Sequence, residues 1–285
     1  MVTGQREPED LEGVAATSLV VAAARAAEQR RPDRLFEDPF AELFLRAAGE
    51  SSAHDRAQWF LRQLGDQPAV RTAFFDDRLL RAAGAGCRQV VLLAAGMDTR
   101  AFRLEWPAGT RVFDVDFDAV LRFKLRVLEQ AQAAPRCDHR PVATDLREDW
   151  GAALRARGFS PELPTAWLAE GILYALPPAA ADLLLDRITA LSAPGSVLAA
   201  DHIERSAALD AAIATISAEL VGAWQSGPAV PLESWLTGHH WTPHIADLAS
   251  VTGDHGRPVP AVFDQGRPGT SRGWLVAADL DELPA

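Results

Sequence analysis

A short series of small and acidic residues stands where the chain could bind a ligand. Val90 to Ala94 are apolar, Ala95 and Gly96 turn the chain without a bulky side chain, and Asp98 follows them. Backbone can approach a ligand closely at such a turn, and the carboxyl ends of parallel strands open into a crevice. The stretch therefore predicts a buried central strand of an open α/β sheet, with a ligand site at its end.

A second acidic segment strengthens this prediction. The run RVFDVDFD (111–118) reads as an apolar strand that finishes in acids, at the distance where a doubly wound fold places the carboxylate that binds a ribose. Asp114 and Asp116 share one face of this strand by alternation. The chain has no G-x-G-x-x-G and no G-x-x-x-x-G-K-[ST] motif, which disfavours a nicotinamide dinucleotide and a nucleoside triphosphate.

Four segments in the same order carry a resemblance to a known protein family. They are LLAAGMDTRAFRL (92–104), FDVDFD (113–118), DLREDW (145–150) and PTAWLAEGILYALP (164–177), with TSLVVAAARAAE and LFEDPFA upstream. Together they resemble the actinobacterial branch of the leucine carboxyl methyltransferase family, which contains S-adenosyl-L-methionine-dependent O-methyltransferases. The resemblance implies a class I α/β fold, with a Rossmann-like seven-stranded sheet, N-terminal helices and a helical lid insertion. It also implies S-adenosyl-L-methionine as the cofactor.

The resemblance assigns individual residues to cofactor binding. Arg71 occupies the position that binds the methionine carboxylate, and a guanidinium can pair with a carboxylate through two bonds. The alternative for Arg71 is a solvated arginine on a helix face. Asp116 aligns with the acid that binds the ribose, and Asp114 is its main competitor. The full predicted set is Arg71, Ala94, Ala95, Gly96, Asp98, Asp116, Phe117, Asp145, Leu146 and Glu170.

The segment DLREDW supports two interpretations. The resemblance implies that Asp145 accepts a hydrogen bond from the adenine amino group and that Leu146 packs on the ring. The same segment is typical of a helix start, with Asp145 as the N-cap and Glu148 three residues later in a capping box. One aspartate could serve both roles.

Three residues are predicted to be catalytic: Glu170, Tyr174 and His202. Glu170 ends the predicted strand TAWLAE, where a buried carboxylate without a partner would be costly, so we expect it to face the cofactor sulfonium or the acceptor. Tyr174 is the only tyrosine of the chain, and it stands one position before the tyrosine of the relatives, where this chain has Ala175. His202 ends the predicted strand SVLAADH at the same edge of the sheet.

The segment from Ala15 to Glu28 predicts a helix whose apolar face is interrupted by Arg25. This helix either covers an edge of the sheet or, as the resemblance implies, helps to close the active site. Eukaryotic members of the family bring a lysine from the equivalent segment to the cofactor carboxylate. The segment here has no lysine, and Arg25 or Ser18 is the candidate replacement.

The remaining pattern predicts one methyltransferase domain over residues 14–285, after a flexible stretch at 1–13. Residues 14–83 are expected to form a helical cap, with helices at 40–62 and 70–83. Residues 204–235 are expected to form a lid insertion that sets specificity. A crossover helix is expected to start at 99–104, and the final strand, 273–278, is expected to run antiparallel to its neighbour.

Composition limits the partners and the compartment. The chain has 285 residues, of which 48% are hydrophobic, enough for one large α/β domain. Its formal charge of −11 argues against nucleic acid and anionic membranes as partners. Cys87 and Cys137 are too few for a disulfide framework, and we expect them to be reduced packing residues of a cytoplasmic protein. The polar N-terminus lacks the apolar core of a signal peptide.

The predicted reaction is methyl transfer to a small, hydrophobic metabolite in secondary metabolism, at a carboxylate. A carboxylate is already ionised at pH 7, whereas a phenol or alcohol acceptor needs a base such as Glu170, His202 or His240. The sequence is also compatible with a protein C-terminal carboxyl methyltransferase and with a cofactor-binding cyclase or binding protein. No metal is predicted, because His240 and His244 flank Pro243 in an extended segment. A homodimer through the lid helix stays open.

Overall fold

One seven-stranded sheet organises the residues that the computed structural model describes, which are 14–49, 63–214, 225 and 227–281. Its strands are β1 (Gln89–Leu93), β2 (Arg111–Asp116), β3 (Asp138–Ala143), β4 (Thr165–Ala169), β5 (Ser196–Ile203), β6 (Thr242–Asp247) and β7 (Gly273–Leu280). They lie in the order β3-β2-β1-β4-β5-β7-β6, and β7 is antiparallel to both of its neighbours. This topology confirms the predicted class I α/β fold and the predicted antiparallel final strand.

Helices lie on both faces of the sheet within the described ranges. They are α1 (Val14–Gln29), α2 (Ala41–Ala48), α3 (Gln67–Ala85), α4 (Arg100–Arg103), α5 (Asp118–Gln130), α6 (Trp150–Ala156), α7 (Pro178–Ala190), α8 (Ala207–Ala214), α9 (Leu232–Gly238) and α10 (Leu248–Asp254). Val90 and Leu92 pack into the core shared with α1, α3 and α5, whereas Val91 and Leu93 pack into the core shared with α6, α7 and α9. The central strand is therefore buried on both faces, as its continuous apolar run predicts.

Two predicted helices have different bounds in the structure. The crossover helix after β1 is the single turn α4, and α2 ends at Ala48, so that most of the predicted helix 40–62 lies outside the described residues. The flexible stretch 1–13 and most of the lid (215–224 and 226) also lie outside them. The domain boundaries therefore stay predictions.

The prediction that Asp145 caps a helix is wrong. α6 begins at Trp150, and its N-cap is Asp149, whose carboxylate accepts a hydrogen bond from the Ala152 amide at 3.1 Å. Trp150 is fully buried and packs edge-on against Trp167, so burial of this ring fixes the first turn of the helix. Asp145 instead accepts from the backbone amide of Arg147 in a local turn.

Asp38 ties the N-terminal helices to the turn that follows the central strand. One of its carboxylate oxygens accepts from the amides of Phe40 and Ala41 at the start of α2, each at 3.2 Å. The other accepts from the Thr99 hydroxyl at 2.8 Å. The motifs LFEDPFA and DTR are therefore parts of one buried junction, which positions α2 against the end of β1.

Asp114 is held in a buried structural ion pair. Its Oδ2 lies 2.6 Å from Lys124 Nζ and 2.8 Å from His139 Nε2, and both Asp114 and Lys124 are buried. Burial alone would raise the pKa of Asp114, but Lys124 and His139 lower it to about 2. This carboxylate joins β2 to α5 and β3, so its nearest partners belong to the core.

We expect Lys124→Met to reduce the free energy of unfolding by about 3 to 5 kcal/mol, because it leaves the Asp114 charge buried and poorly paired. Arg122→Met, on the exposed face of the same helix, removes a surface ion pair with Asp118 and should cost about 0 to 1 kcal/mol. Urea unfolding at neutral pH measures both. Equal losses in the two variants would contradict the structural role of Asp114.

The same pair has a pH signature. Since the folded pKa of Asp114 is depressed, its stabilising effect is present above the ordinary pKa of 3.8 and is lost as the pH falls toward 2. We expect the stability difference between the wild type and Lys124→Met to shrink over that range. A difference that stays constant down to pH 2 would contradict the assignment.

Candidate active site

The turn after β1 brings backbone to the carboxyl edge of the sheet. Ala94 and Gly96 have positive φ angles of 50° and 48°, so the chain folds back sharply after the central strand. A Cβ on Gly96 would lie 2.7 Å from Ser18 Cβ, so only glycine fits beneath α1 at this point. Helix α1 thus crosses directly over the turn that the sequence predicts as a ligand site.

Asp116 is presented at the end of β2, beside this turn. Its Oδ2 accepts from the Gly96 amide and its Oδ1 from the Phe117 amide, both at 2.7 Å. Burial raises the pKa of Asp116, and these two amides oppose the rise. The ring of Phe117 is 39% exposed next to it. Because Asp114 is engaged by Lys124, Asp116 remains the predicted acid for a ribose.

Glu170, at the end of β4, is surrounded by three guanidinium groups. Its Oε2 lies 2.7 Å from Arg100 Nη1, whereas its Oε1 lies 3.1 Å from Arg71 Nη2 and 3.4 Å from Arg25 Nη2. Burial would raise the pKa of Glu170, but Arg100, Arg71 and Arg25 together hold it well below the usual value. The carboxylate is therefore ionised at neutral pH.

The ion pairs continue on both sides of Glu170. Arg71 Nη1 lies 2.8 Å from Asp201 Oδ2, and the other oxygen of Asp201 accepts from the Gly171 amide at 2.6 Å. Arg100 also contacts Asp98. We call this set the edge network; its members are Arg25, Arg71, Arg100, Asp98, Glu170 and Asp201. The network joins α1, α3 and α4 to the ends of β1, β4 and β5.

Arg71 is buried, with 7% of its surface exposed, so the interpretation of a solvated arginine on a helix face is wrong. Arg25 is likewise buried, and besides Glu170 it contacts the Met97 carbonyl at 3.3 Å. Helix α1 therefore contributes a charged side chain to the site, which favours the interpretation that it helps to close the site. The predicted Ser18 lies over Gly96.

The arginines retain donors that a cofactor carboxylate would satisfy. Arg25 Nε, Arg71 Nε and Arg100 Nη2 are buried and have no hydrogen-bond partner within the described part of the chain. Buried N–H groups normally have partners, and a guanidinium donor is well suited to a carboxylate. The residues present thus fit the methionine end of S-adenosylmethionine, and Asp116 and Phe117 remain the predicted partners of the nucleoside.

Tyr174 lies beside Gly171, and His202 is the residue of β5 that follows Asp201. Tyr174 is part of a 3₁₀ turn, Leu173–Ala175, where burial raises the pKa of its hydroxyl to about 12. His202 is 6% exposed, and its Nδ1 has no hydrogen-bond partner among the residues that the structure describes. Burial lowers the pKa of His202, so the imidazole is neutral at pH 7. Backbone at Gly227 covers it, since a Cβ there would lie 3.2 Å from Nδ1.

Asp145 and Leu146 follow β3, the strand next to β2. The Asp145 carboxylate is paired with Arg147, which is itself largely exposed, and the Leu146 side chain packs against the core beneath the sheet. The structure leaves their predicted adenine role untested. His240 precedes β6 and His244 lies on it, so the pair is not on a helix, and the described residues contain no cluster of three or more metal-ligating side chains.

Sequence reasoning missed two residues of this region, Arg100 and Asp76. Arg100 Nε lies 2.7 Å from Asp76 Oδ1, and Arg103 binds the same carboxylate at 2.6 and 2.7 Å. A signal was available for Asp76, because it lies one turn from the buried residues Thr72 and Leu79 on α3. An acid on the apolar face of a helix indicates a buried cation partner.

We expect Asp116→Ala to weaken binding of S-adenosylhomocysteine by about 1 to 3 kcal/mol, the loss typical of charge-assisted hydrogen bonds. Isothermal titration calorimetry measures the change. Asp114→Asn is the comparison variant, and it should lower stability while changing affinity less. The reverse pattern would assign the ribose to Asp114.

Comparisons with known proteins identify the family of this chain. The sequence profile of the leucine carboxyl methyltransferase family matches residues 18–189, more than half of the chain. A protein of Parafrankia sp. is 44% identical over 258 residues, covering 87% of this chain and 83% of its own. A protein of Mycolicibacterium gilvum is 41% identical over 290 residues, covering 91% and 93%. Both carry the name of S-adenosyl-L-methionine-dependent methyltransferases.

Solved structures agree at the level of the fold. A crystal structure from Thermobifida fusca, named as a methyltransferase, superposes with a TM-score of 0.59 at 17% identity, covering 98% of this chain and all of that chain. The CurJ carbon methyltransferase superposes with a TM-score of 0.54 at 14% identity, covering 94% of this chain and 68% of its own. The fold alone therefore does not specify the acceptor atom. Because the family profile matches more than half of the chain and the relatives are more than 40% identical, this chain belongs to the leucine carboxyl methyltransferase family and is an S-adenosyl-L-methionine-dependent methyltransferase.

Proposed function

We propose that the enzyme transfers the methyl group to an oxygen atom of a small, hydrophobic metabolite, and that this oxygen belongs to a carboxylate. The observation that carries the proposal is the ion pairing within the edge network. Its carboxylates are paired with guanidinium groups, so they are poorly suited to remove a proton from an acceptor. A carboxylate acceptor requires no such step.

The bound cofactor supplies an electrophilic methyl group on a sulfonium. The protein must then hold the acceptor in line with that methyl group and exclude water. Acceptor carboxylates are ionised at pH 7, whereas a phenol or alcohol usually needs a base. The identity of the acceptor therefore depends on which bases the site offers.

The candidate bases near Glu170 are weak or occupied. Glu170 itself has a pKa well below the usual value and bonds to three arginines. Asp201 uses one oxygen for Arg71 and the other for the Gly171 amide. Tyr174, with a pKa of about 12, is a neutral hydroxyl at pH 7 and suits the role of hydrogen-bond donor to an acceptor oxygen.

Apolar side chains beside Tyr174 support a hydrophobic acceptor. A separate buried cluster contains Leu64, Ile203, Leu209 and Phe263, and Tyr174 packs against it. These residues come from the N-terminal cap, the end of β5, helix α8 and the C-terminal region. The cluster is therefore assembled where the cap and the predicted lid approach the site, a common location for an acceptor pocket.

His202 favours hydroxyl acceptors as the second candidate. It is a buried, neutral imidazole with an unpaired Nδ1 in the described structure, and it is the nearby group best suited to accept a proton at pH 7. A protein C-terminus is a weaker candidate, because the net charge of −11 opposes an anionic tail. A non-catalytic binding role has no specific support in the site.

We place the reaction among the tailoring steps of secondary metabolism, and the protein in the cytosol. The apolar cluster against which Tyr174 packs supports the first proposal. Two free thiols support the second, since disulfides are rare in that compartment. In the parts of the chain that the structure describes, no helix is long and apolar enough to cross a membrane.

The proposal is tested directly by finding whether the methylated product is an ester or an ether. The enzyme is incubated with methyl-labelled S-adenosylmethionine and a panel of apolar carboxylic acids matched to phenols and alcohols of similar shape. We expect labelled product from the acids, and mild alkali should release the label as methanol, because esters are hydrolysed and ethers are not. Alkali-stable product from phenols or alcohols would contradict the carboxylate assignment.

A His202→Gln variant separates the two acceptor classes. Glutamine keeps a polar side chain at this position but cannot act as a base. With a carboxylate acceptor we expect kcat to change less than about tenfold, whereas loss of a general base lowers it about 10² to 10⁴-fold. Single-turnover rates with cofactor and acceptor saturating make the comparison, and a loss in the larger range would favour a hydroxyl acceptor.

A further inference from the structure

Arg100 is the first residue of the one-turn helix α4 and is not among the site residues predicted from the sequence. Its side chain is fully buried and contacts three carboxylates from three different segments: Asp76 on α3, Asp98 in the turn and Glu170 after β4. A fully buried guanidinium is costly unless its partners are well placed. Three carboxylates around one buried cation indicate a role beyond packing.

The two oxygens of Glu170 have different partners. Arg71 and Arg25 both contact Oε1, at 3.1 and 3.4 Å. Oε2 is contacted by Arg100 at 2.7 Å, the shortest of the three contacts. Since a carboxylate plane is defined by both oxygens, Arg100 sets the rotation of the Glu170 carboxylate.

Arg100 is itself fixed from the opposite side. Its Nε bonds to Asp76 Oδ1 at 2.7 Å, and Asp76 is clamped by two bonds from Arg103. Arg103 is buried like Arg100 and shares Asp76 with it, yet it makes no contact with Glu170 in the described structure. Asp76 on α3 therefore binds both arginines of α4, and of these two only Arg100 continues to Glu170 in the described structure.

We propose that Arg100 is a positioning residue, which holds the Glu170 carboxylate ionised and oriented toward the cofactor through its bridge to Asp76. The proposal rests on the assignment of Glu170 to the cofactor site. The site residues predicted from the sequence do not include Arg100. Its effect on the reaction is indirect, because the group it acts on is Glu170.

The positioning role has a consequence for pH dependence. The charged and titratable groups that face Glu170 are Arg25 from α1, Arg71 from α3, Arg100 from α4, Tyr174 from the 3₁₀ turn, and Asp98 and Asp201 from the strand ends. Without Arg100, burial and the charges of Asp98 and Asp201 favour the protonated form of Glu170, and of the three arginines only Arg25 and Arg71 remain to oppose them. The pKa of Glu170 then rises, and the carboxylate becomes protonated as the pH falls.

The test compares Arg100→Met with Arg103→Met, two variants that each remove one buried arginine from Asp76. Affinity for S-adenosylhomocysteine is measured by calorimetry at about pH 5.5 and pH 8. We expect the ratio of the dissociation constants at pH 5.5 and pH 8 to be severalfold larger in Arg100→Met than in the wild type, because the protonated fraction of Glu170 grows as the pH falls. The wild type and Arg103→Met should share a smaller ratio.

Each outcome of the comparison is decisive. Equal pH ratios in the two variants would overturn the positioning role and make Arg100 a structural residue. If Arg100→Met does not fold, Arg100→Lys keeps the buried charge but cannot bridge two carboxylates, and it should bind the ligand about tenfold more weakly. Wild-type affinity in the lysine variant would also overturn the proposal. Absence of ligand binding to the wild type would instead refute the cofactor site.

Discussion

The carboxyl edge of the sheet depends on the mutual neutralisation of buried charges. Its arginines and carboxylates are almost completely removed from water, where an unpaired charge would be prohibitive. The ion-paired residues are those of the edge network together with three more from the adjoining segments, Asp38, Asp76 and Arg103. Every contact among them joins a positive group to a negative one, so each member is stabilised by a neighbour from another segment. Helices α1 to α4 and strands β4 and β5 are held in one arrangement as a result.

This arrangement also explains how the site can receive a zwitterionic ligand. The methionine end of the cofactor carries a carboxylate, an amino group and a sulfonium, which would meet arginine donors and the Glu170 carboxylate. Because these groups are already fixed by one another, little reorganisation is needed when the ligand binds. The same pairing leaves few proton acceptors, which supports the proposed carboxylate acceptor. Tight ion pairing thus affects both cofactor recognition and the choice of chemistry.

Much of the fold follows from local sequence patterns. Continuous apolar runs predict β1 and β4 as buried parallel strands, and the positions of Asp116 and Glu170 at strand ends follow from the same patterns. The length of α4 and the start of α6 do not follow, because each is set by tertiary burial. Asp149 and not Asp145 caps α6, since the helix begins where the ring of Trp150 is buried.

The pairing of charges is the part that sequence patterns cannot supply. Arg100 and Asp76 are 24 positions apart, and Arg100 and Glu170 are 70 apart, so their contacts depend on how α3, α4 and β4 come together. Alternation alone makes Asp114 and Asp116 equivalent. Their difference comes from Lys124 on the next helix, which engages Asp114, and from the Gly96 amide, which holds Asp116.

The most direct measurement of the central claim is a crystal structure of the enzyme with S-adenosylhomocysteine. We expect the ribose hydroxyls on Asp116, the ligand carboxylate on a guanidinium donor of Arg25 or Arg71, and the Arg100 to Glu170 pair unchanged on ligand binding. A ligand bound away from the ends of β1, β2 and β4 would contradict the account. So would a complex in which the edge network is broken and Glu170 turns away from the ligand.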